Sequence, residues 1–141
     1  MRYYTTLSDP TKVTNLYQEW TGREQTGLQE FYTDIPCPSN IFLIVAYDEG
    51  KIVGSAQLIL IDDWVWGMRW GLVENVYVKG DKRRQGIGRG LMKTVEDQAQ
   101  TLGCKFLKLT SRKGEGVALY RALGYTEGFS FRKELTWSQL L

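Results

Sequence analysis

The fold of this chain is organised around the segment Arg83-Arg84-Gln85-Gly86-Ile87-Gly88-Arg89-Gly90. From within it, Ile87, Leu91, Val95 and Ala99 recur every four residues, the spacing of one apolar helix face. Glycine permits a tight turn and a close approach of the backbone to a ligand. The first turn of a helix offers unpaired N–H groups and the positive end of its dipole to an anion. The stretch therefore predicts a phosphate-binding turn between a strand and a helix.

Two common phosphate motifs do not fit this turn. A P-loop requires Lys and then Ser or Thr after its last glycine, and Leu91 follows Gly90 instead. A dinucleotide fingerprint requires a third glycine where Leu91 stands, and an acidic residue about 20 positions later that is missing here. Residues 79–113 carry ten Lys or Arg against three Asp or Glu, but interleaved exposed aromatic residues are missing, which disfavours nucleic acid as the ligand.

Alternation and periodicity outward from the turn predict a mixed α/β sheet in the order β-α-α-β-β-β-α-β-α-β. The predicted strands cover 2–7, 41–47, 52–61, 71–79, 106–109, Tyr125 and 129–135. The predicted helices cover 10–21, 25–34, 88–102 and 116–123. A hairpin turn is predicted at 48–51, and glycines 22, 103 and 124 are expected to end helices.

The length of 141 residues fits a single domain over 1–141, with 43% apolar and 24% charged residues. The longest apolar run, over 41–46, is far shorter than the roughly 18 residues of a membrane helix. The first residues lack the apolar stretch of a signal peptide. We therefore expect a soluble cytoplasmic protein without a membrane partner.

The sequence contains no histidine and only two cysteines, Cys37 and Cys104. This excludes a Ser-His or Cys-His nucleophile pair and a zinc site with four Cys or His ligands. We expect no metal. Proton transfer near neutral pH then depends on a carboxylate, a tyrosine, a lysine, a cysteine or water.

At this point the sequence resembles the GCN5-related N-acetyltransferase (GNAT) superfamily. The acetyl-coenzyme A motif of that family, [Q/R]xxGx[G/A] between a central strand and a long helix, is matched by residues 83–88. A second landmark, Tyr-x-x-x-Gly-[Phe/Tyr] at the end of a short helix, is matched by Tyr120, Gly124 and Tyr125. The resemblance covers residues 41–135 and implies a mostly antiparallel central sheet, flanked by helices, with a splayed central strand pair.

The resemblance also implies how acetyl-CoA is bound as a cosubstrate. Backbone N–H groups of the glycine turn would hold the pyrophosphate, and a kinked central strand would free backbone groups for the pantetheine arm. Lys113 stands where many members carry an asparagine that touches the cofactor, and a lysine there can reach phosphate. The cofactor-binding residues implied are Val76, Val78, Arg83, Arg84, Gln85, Gly86, Ile87, Gly88, Arg89, Gly90 and Lys113.

Three groups are implied as catalytic. Tyr120 matches the general acid of the family, which protonates the leaving thiolate, and a phenol is protonated at neutral pH. Glu74 occupies a position where some members carry the carboxylate that deprotonates the amine, directly or through water, with Asp62, Asp63 or a water chain as alternatives. The backbone N–H of Val76 is the hypothetical oxyanion donor.

The resemblance implies transfer of an acetyl group to a primary amine, and the acidic first half of the chain favours a small cationic acceptor. Trp64, Trp66 and Trp70 could bind such an amine, although packing in the core or at a homodimer interface is the favoured reading. The alternative function is a non-catalytic acyl-CoA-binding or regulatory module on the same fold. The acidic candidates for amine binding are Glu19, Glu24, Glu30 and Asp34.

Overall fold

The computed structural model describes residues 2–4, 13–22, 39–111, 114–128 and 131–135. Five strands and three α-helices follow one another along these residues. The strands are β1 (Arg2–Tyr4), β2 (Ile41–Asp48), β3 (Lys51–Asp63), β4 (Met68–Val78) and β5 (Cys104–Leu109). The helices are α1 (Thr14–Thr21), α2 (Ile87–Thr101) and α3 (Gly114–Ala122), and a 3-10 turn spans Gly80–Lys82.

The strands form one sheet in the order β1-β2-β3-β4-β5. The first four pair antiparallel with their neighbours, and β5 pairs parallel with β4. The parallel step is possible because α2 lies between β4 and β5 along the chain and crosses one face of the sheet. The prediction of a mixed, mostly antiparallel α/β sheet is therefore confirmed.

Helix α2 buries the apolar face that its sequence spacing predicts. Ile87, Leu91, Val95 and Ala99 are buried against β2, β3 and β4 in one core cluster. A Cβ on Gly54 of β3 would lie 3.0 Å from a methyl group of Leu91, so this glycine lets the helix approach the sheet closely. The contact fixes the first turn of α2 beside the end of β4. Within the described ranges, every helix is too short or too polar to span a bilayer.

Helix α1 lies on the opposite face of the sheet. The hydroxyl groups of Tyr17 and Ser55, a buried residue of β3, are 3.1 Å apart and share a hydrogen bond. The ring of Trp20 stacks on Tyr77 of β4, with 5.0 Å between ring centroids. These contacts place α1 over the same end of β4 that α2 reaches from the other side.

Most predicted elements agree with the structure within three residues at each end. The hairpin turn is confirmed, and Glu49 and Gly50 both have positive φ, as a two-residue turn of this kind requires. Strand β4 begins at Met68, three residues before the prediction, because Met68 pairs with Asp63 of β3. The predicted helix over 25–34 lies outside the described residues, as do 5–7 of the first strand, 10–12 of the first helix and 129–130 of the last strand.

The prediction of a strand at Tyr125 and over 131–135 is wrong for the residues that are described, which have no regular secondary structure. Phe131 is 95% exposed and Leu135 is 72% exposed, so their apolar side chains have no buried sheet face to cover. Core packing is likewise wrong for Trp64 and Trp66. Both are exposed. The turn that carries them joins β3 to β4 beyond the Ile41–Ile59 pair, where β2 no longer lies beside β3.

Trp70 differs from these two tryptophans, because it stacks on Phe106 of β5 with 5.6 Å between ring centroids. Lys108 lies above the Trp70 ring at 4.7 Å, as in a cation–π contact. This tryptophan therefore helps to hold β4 and β5 together.

The close contact of β4 with its neighbours gives a test of the packing. A Cβ on Gly71 would lie 2.6 Å from Leu107 and 2.8 Å from Leu58. We expect Gly71→Ala to lower the free energy of unfolding by about 1–3 kcal/mol, the usual cost of overpacking a core. Gly114→Ala is the matched control, since its Cβ meets nothing within 4 Å. Equal stability of the two variants in urea denaturation would contradict the packing described.

Candidate functional site

A cleft lined by described residues lies where β4 and β5 separate. The residue pairs of the two strands end at Val73 with Leu109, while β4 continues to Val78. The cleft between them has a volume of about 1250 Å³ and reaches the first turn of α2 and one side of α3. A space of this size suits a ligand larger than most drug molecules. The splayed pair of central strands is thus present.

A β-bulge bends β4 at the start of the cleft. The register between β3 and β4 shifts between Ser55 and Gln57, where Asn75 and Val76 together oppose the single residue Ala56. Asn75 adopts a left-handed conformation with φ of 55°. One extra residue with positive φ is the mark of a bulge, which bends the strand and increases its twist.

The bulge decides which side chains face which side of the sheet. Val73 is buried in the core cluster beneath α2, and Val76 packs against the same cluster although it is three residues away. Tyr77 points to the other face, where it stacks on Trp20 of α1. Side chains alternate along a strand, so Glu74 lies on the α1 face as well. The bulge therefore puts Glu74 and Tyr77 on one face and keeps the valines on the other.

The backbone of β4 also turns its polar groups toward the cleft. The N–H of Lys79 donates to the carbonyl of Val53 at 2.8 Å, so Val78, one residue earlier, belongs to a pair without ladder hydrogen bonds to β3. Its N–H and C=O therefore point away from β3, and its carbonyl accepts a bond from Nε of Arg83 at 3.1 Å. From alternation along the strand, we expect the N–H of Val76, two residues before Val78, to point in the same direction.

The first turn of α2 closes the far end of the cleft. Gly86, with φ of 81°, is the residue before the helix, and its carbonyl accepts the N–H of Gly90 at 3.0 Å. The N–H groups of residues 87–89 precede this first helical bond and have no acceptor within the helix. Gly86 and Gly88 line the cleft. The positive end of the α2 dipole therefore faces the space beside β4.

Most predicted site residues lie together in the cleft wall. Those that line it are Glu74, Val76, Val78, Arg83, Arg84, Gly86, Ile87, Gly88, Arg89 and Tyr120. Gln85 is exposed and outside the wall. Gly90 also lies outside it. It packs against Tyr3 of β1 so closely that a Cβ on Gly90 would overlap the Tyr3 ring. Lys113 lies outside the described residues.

Arg83 does not reach freely into the cleft. Besides its bond to the Val78 carbonyl, its guanidinium lies 5.4 Å from the centroid of the Tyr77 ring. The side chain is thus held against the end of β4, where its charge adds to the positive end of α2. Arg84 adopts a left-handed conformation with φ of 63° in the turn that follows.

Tyr120 projects from α3 and is half-buried in the cleft wall. Burial raises the pKa of its phenol, so the hydroxyl is protonated and can donate at neutral pH. Its ring meets Tyr125 edge to face at 6.0 Å, and the Tyr125 hydroxyl donates to Oε1 of Glu96 at 3.0 Å. No hydrogen bond of the Tyr120 hydroxyl is found within the described part of the chain, which leaves this donor available to a ligand.

Several cleft residues were missed by the sequence analysis. Asn75 had a signal, because the spacing of three between Val73 and Val76 breaks the alternation of a strand at a residue that tolerates positive φ. The other missed residues had none, since they reach the cleft only through the way the elements pack. Among these are Trp20, Thr110, Ser111 and Arg132.

Comparison with known proteins identifies the class. The model of the acetyltransferase (GNAT) family matches residues 11–125, most of the chain. The chain therefore belongs to the acetyltransferase (GNAT) family. Over 92 residues it is 34% identical to the aminoglycoside N(6')-acetyltransferase type 1 of Stenotrophomonas maltophilia. That alignment covers 62% of this chain and 60% of the relative, so the chain spans about three fifths of the relative's length.

Solved structures share the fold over almost the whole chain. A transcriptional regulator from Bacillus halodurans C-125 has a TM-score of 0.82 at 19% identity, covering 96% of this chain and 100% of its own. The aminoglycoside acetyltransferase meta-AAC0020 from an uncultured soil metagenomic sample, solved with sisomicin, has a TM-score of 0.76 at 15% identity, covering 96% of each chain. Identities this low show a common fold.

From the environments of Tyr120 and Tyr125 we expect the folded chain to lose stability at high pH. Burial, and for Tyr125 also the bond to Glu96, raises the pKa of each phenol above the usual 10.0. A raised pKa in the folded chain contributes stability that is full below about pH 10 and is lost as the pH rises toward the folded value. We expect the free energy of unfolding to fall more steeply above pH 10 in the wild type than in Tyr125→Phe. If the free energies of unfolding of the two proteins, measured by urea denaturation, fall in parallel above pH 10, the raised pKa of Tyr125 is contradicted.

Proposed function

We propose that this protein is an N-acetyltransferase that moves the acetyl group of acetyl-CoA directly to a primary amine of a small cationic acceptor. One observation carries the proposal. Beyond Val73 the backbone of β4 turns polar groups away from β3 into a cleft, and that cleft ends at the first turn of α2. A long ligand with an amide-rich arm and a diphosphate matches both features.

The first turn of α2 is the proposed diphosphate site. Its N–H groups over 87–89 and the helix dipole favour an anion. Arg84 and Arg89 add positive charge to the cleft wall, and Arg83 adds its own from the end of β4. In the proposed complex the pantetheine arm runs along β4, with Val78 and Val76 as backbone partners.

Each proposed catalytic group has one role. Bound acetyl-CoA supplies the thioester; the amine nitrogen attacks its carbonyl carbon, the C–S bond breaks and an amide forms. The N–H of Val76 donates to the developing oxyanion, Glu74 accepts the proton that the amine loses, directly or through water, and Tyr120 protonates the leaving sulfur. The position of Glu74 on the α1 face supports approach of the amine from that side.

Two observations support a cationic acceptor. The curated relative that is 34% identical over part of the chain is named for acetylating an aminoglycoside, a compound with several amino groups. On the α1 face, the carboxylate of Glu74 lies on the same side of β4 as the stacked rings of Tyr77 and Trp20, and all three residues line the cleft. Carboxylates and aromatic faces both attract ammonium groups.

The experiment that tests this function is release of free CoA thiol from acetyl-CoA across a panel of amines. The panel contains aminoglycosides, polyamines, amino acids and peptide N-termini, each paired with its N-acetylated form as a control. We expect turnover with at least one cationic amine. CoA binding without turnover on any amine would favour the non-catalytic acyl-CoA-binding module, and no CoA binding would refute both functions.

Replacement of the proposed acid gives the first kinetic prediction. Tyr120→Phe removes only the hydroxyl, and we expect kcat to fall by about 100-fold, the lower range for loss of a general acid. The dissociation constant of CoA should stay within about twofold. Tyr125→Phe is the matched control, since its hydroxyl is bound to Glu96. Equal kcat values for the two variants would assign Tyr120 to packing alone.

Replacement of the proposed base gives a pH-dependent prediction. Glu74→Gln keeps the shape of the side chain and removes its ability to accept a proton. At neutral pH we expect kcat/KM to fall by about 100-fold. The deficit should shrink as the pH rises, because the fraction of acceptor amine that is already deprotonated increases. Glu49→Gln, on an exposed turn, is the control and should behave like the wild type. If the pH–rate profile of Glu74→Gln runs parallel to that of the wild type, Glu74 is excluded as the base.

A further inference from the structure

We propose that Asn75 is a positioning residue that holds the β4 bulge through its left-handed backbone and its hydrogen bond to Gln57. The inference rests on the proposed function, because the groups that Asn75 positions are those of the proposed chemistry. Asn75 touches neither reacting atom in this account. It acts on Glu74, the residue before it, and on Val76, the residue after it.

The backbone of Asn75 adopts a left-handed conformation that few residue types tolerate. Among the described residues, only Glu49, Asn75 and Arg84 combine a side chain with positive φ. The left-handed conformation costs a residue with a Cβ roughly 1–2 kcal/mol. It costs asparagine less, because the short amide side chain can form local hydrogen bonds. Glu49 lies in a hairpin turn and Arg84 in the glycine turn, whereas Asn75 lies inside a strand. At this position the choice of residue decides whether the bulge is stable.

The side chain of Asn75 makes a hydrogen bond across to β3. Its Nδ2 donates to Oε1 of Gln57 on β3 at 3.0 Å. Gln57 is also the backbone partner of Glu74, so this bond ties the extra residue to the residue pair just before the bulge. The bond spans the point where the register shifts and opposes a slip of β4 along β3.

A slip of one residue would reverse the faces of β4 beyond Glu74. Val76 and Val78 would turn toward α1, and the backbone groups that now face the cleft would turn toward β3. The ring of Tyr77 would lose its place against Trp20. The Val76 N–H and the Glu74 carboxylate would then lose the relative positions that the bulge at Asn75 gives them. We therefore infer that loss of the Asn75 contacts lowers the rate of chemistry more than the binding of CoA by α2.

The test compares four variants of the whole chain: two single variants that each remove the bond, their double variant, and Asn75→Ala. Asn75→Gly keeps the left-handed backbone and loses only the side-chain bond. Gln57→Leu removes the acceptor of the same bond and leaves Asn75 unchanged. We expect each to lower kcat by about threefold, and the double variant to be no slower than either, since both remove one shared bond. Asn75→Ala loses the bond and disfavours the backbone too, and we expect kcat to fall by about tenfold or more. The affinity for CoA should stay within about twofold in all four.

Two controls separate positioning from stability. Glu49→Gly relieves the same backbone conformation away from the cleft, and Asn40→Ala removes an amide that donates to the Leu60 carbonyl at 3.2 Å. Neither should change kcat. If Asn75→Ala has the kcat of the wild type and only a lower melting temperature, the role is structural and the inference is overturned. If Asn75→Ala does not fold, the glycine variant and Gln57→Leu decide the question, and full kcat in both overturns it.

A second measurement keeps this inference apart from the proposed function. The amide resonances of Val76 and Val78 in the ligand-free protein report the bulge whether or not the chain transfers acetyl groups. We expect Asn75→Ala to shift them strongly and Asn75→Gly to shift them little. Should the wild type show no turnover, the proposed function fails and these spectra alone decide the inference. Unchanged resonances in Asn75→Ala would then overturn it.

Discussion

The site depends on one constraint, the need of buried or half-buried backbone groups for hydrogen-bond partners. Along most of β4 the neighbouring strands meet this need. Beyond Val73 the pairing with β5 ends, yet β4 runs on to Val78 with alternate N–H and C=O groups directed away from β3. The Val78 carbonyl is bound by Arg83. The remaining groups beside the cleft suit a ligand that presents its own donors and acceptors.

Two helices make this arrangement rigid from opposite sides. Helix α2 is fixed by its buried stripe, which includes Leu91 against Gly54, so its first turn stays beside the end of β4. Helix α1 is fixed by Tyr17 and Trp20 on the other face. The bulge between them sends the valines toward one helix and the polar and aromatic side chains toward the other. The proposed cofactor and acceptor subsites therefore lie on two sides of the same strand.

The sequence predicted the elements well wherever a strong periodicity or a glycine defined them. The stripe of α2, the turn at Glu49 and the glycine turn before α2 are such cases. It failed for residues 131–135, because alternation of apolar residues predicts a strand only when a sheet face exists to receive them. The bulge at Asn75 left a signal in the spacing of Val73 and Val76, whereas the cleft residues from α1 and from the end of β5 depend on packing, which local patterns do not specify. The roles of Tyr120 and Glu74 came from family resemblance.

A calorimetric and NMR titration of the protein with CoA and, separately, with pantetheine, which lacks the diphosphate, tests whether α2 holds a diphosphate beside β4. We expect saturable binding of CoA, with the largest shifts at the amides of residues 86–89 and of Val76 and Val78. Pantetheine should bind far more weakly and shift only the β4 amides. Failure of CoA to bind at millimolar concentration, or equal binding of the two compounds, would contradict the claim that α2 holds a diphosphate beside β4.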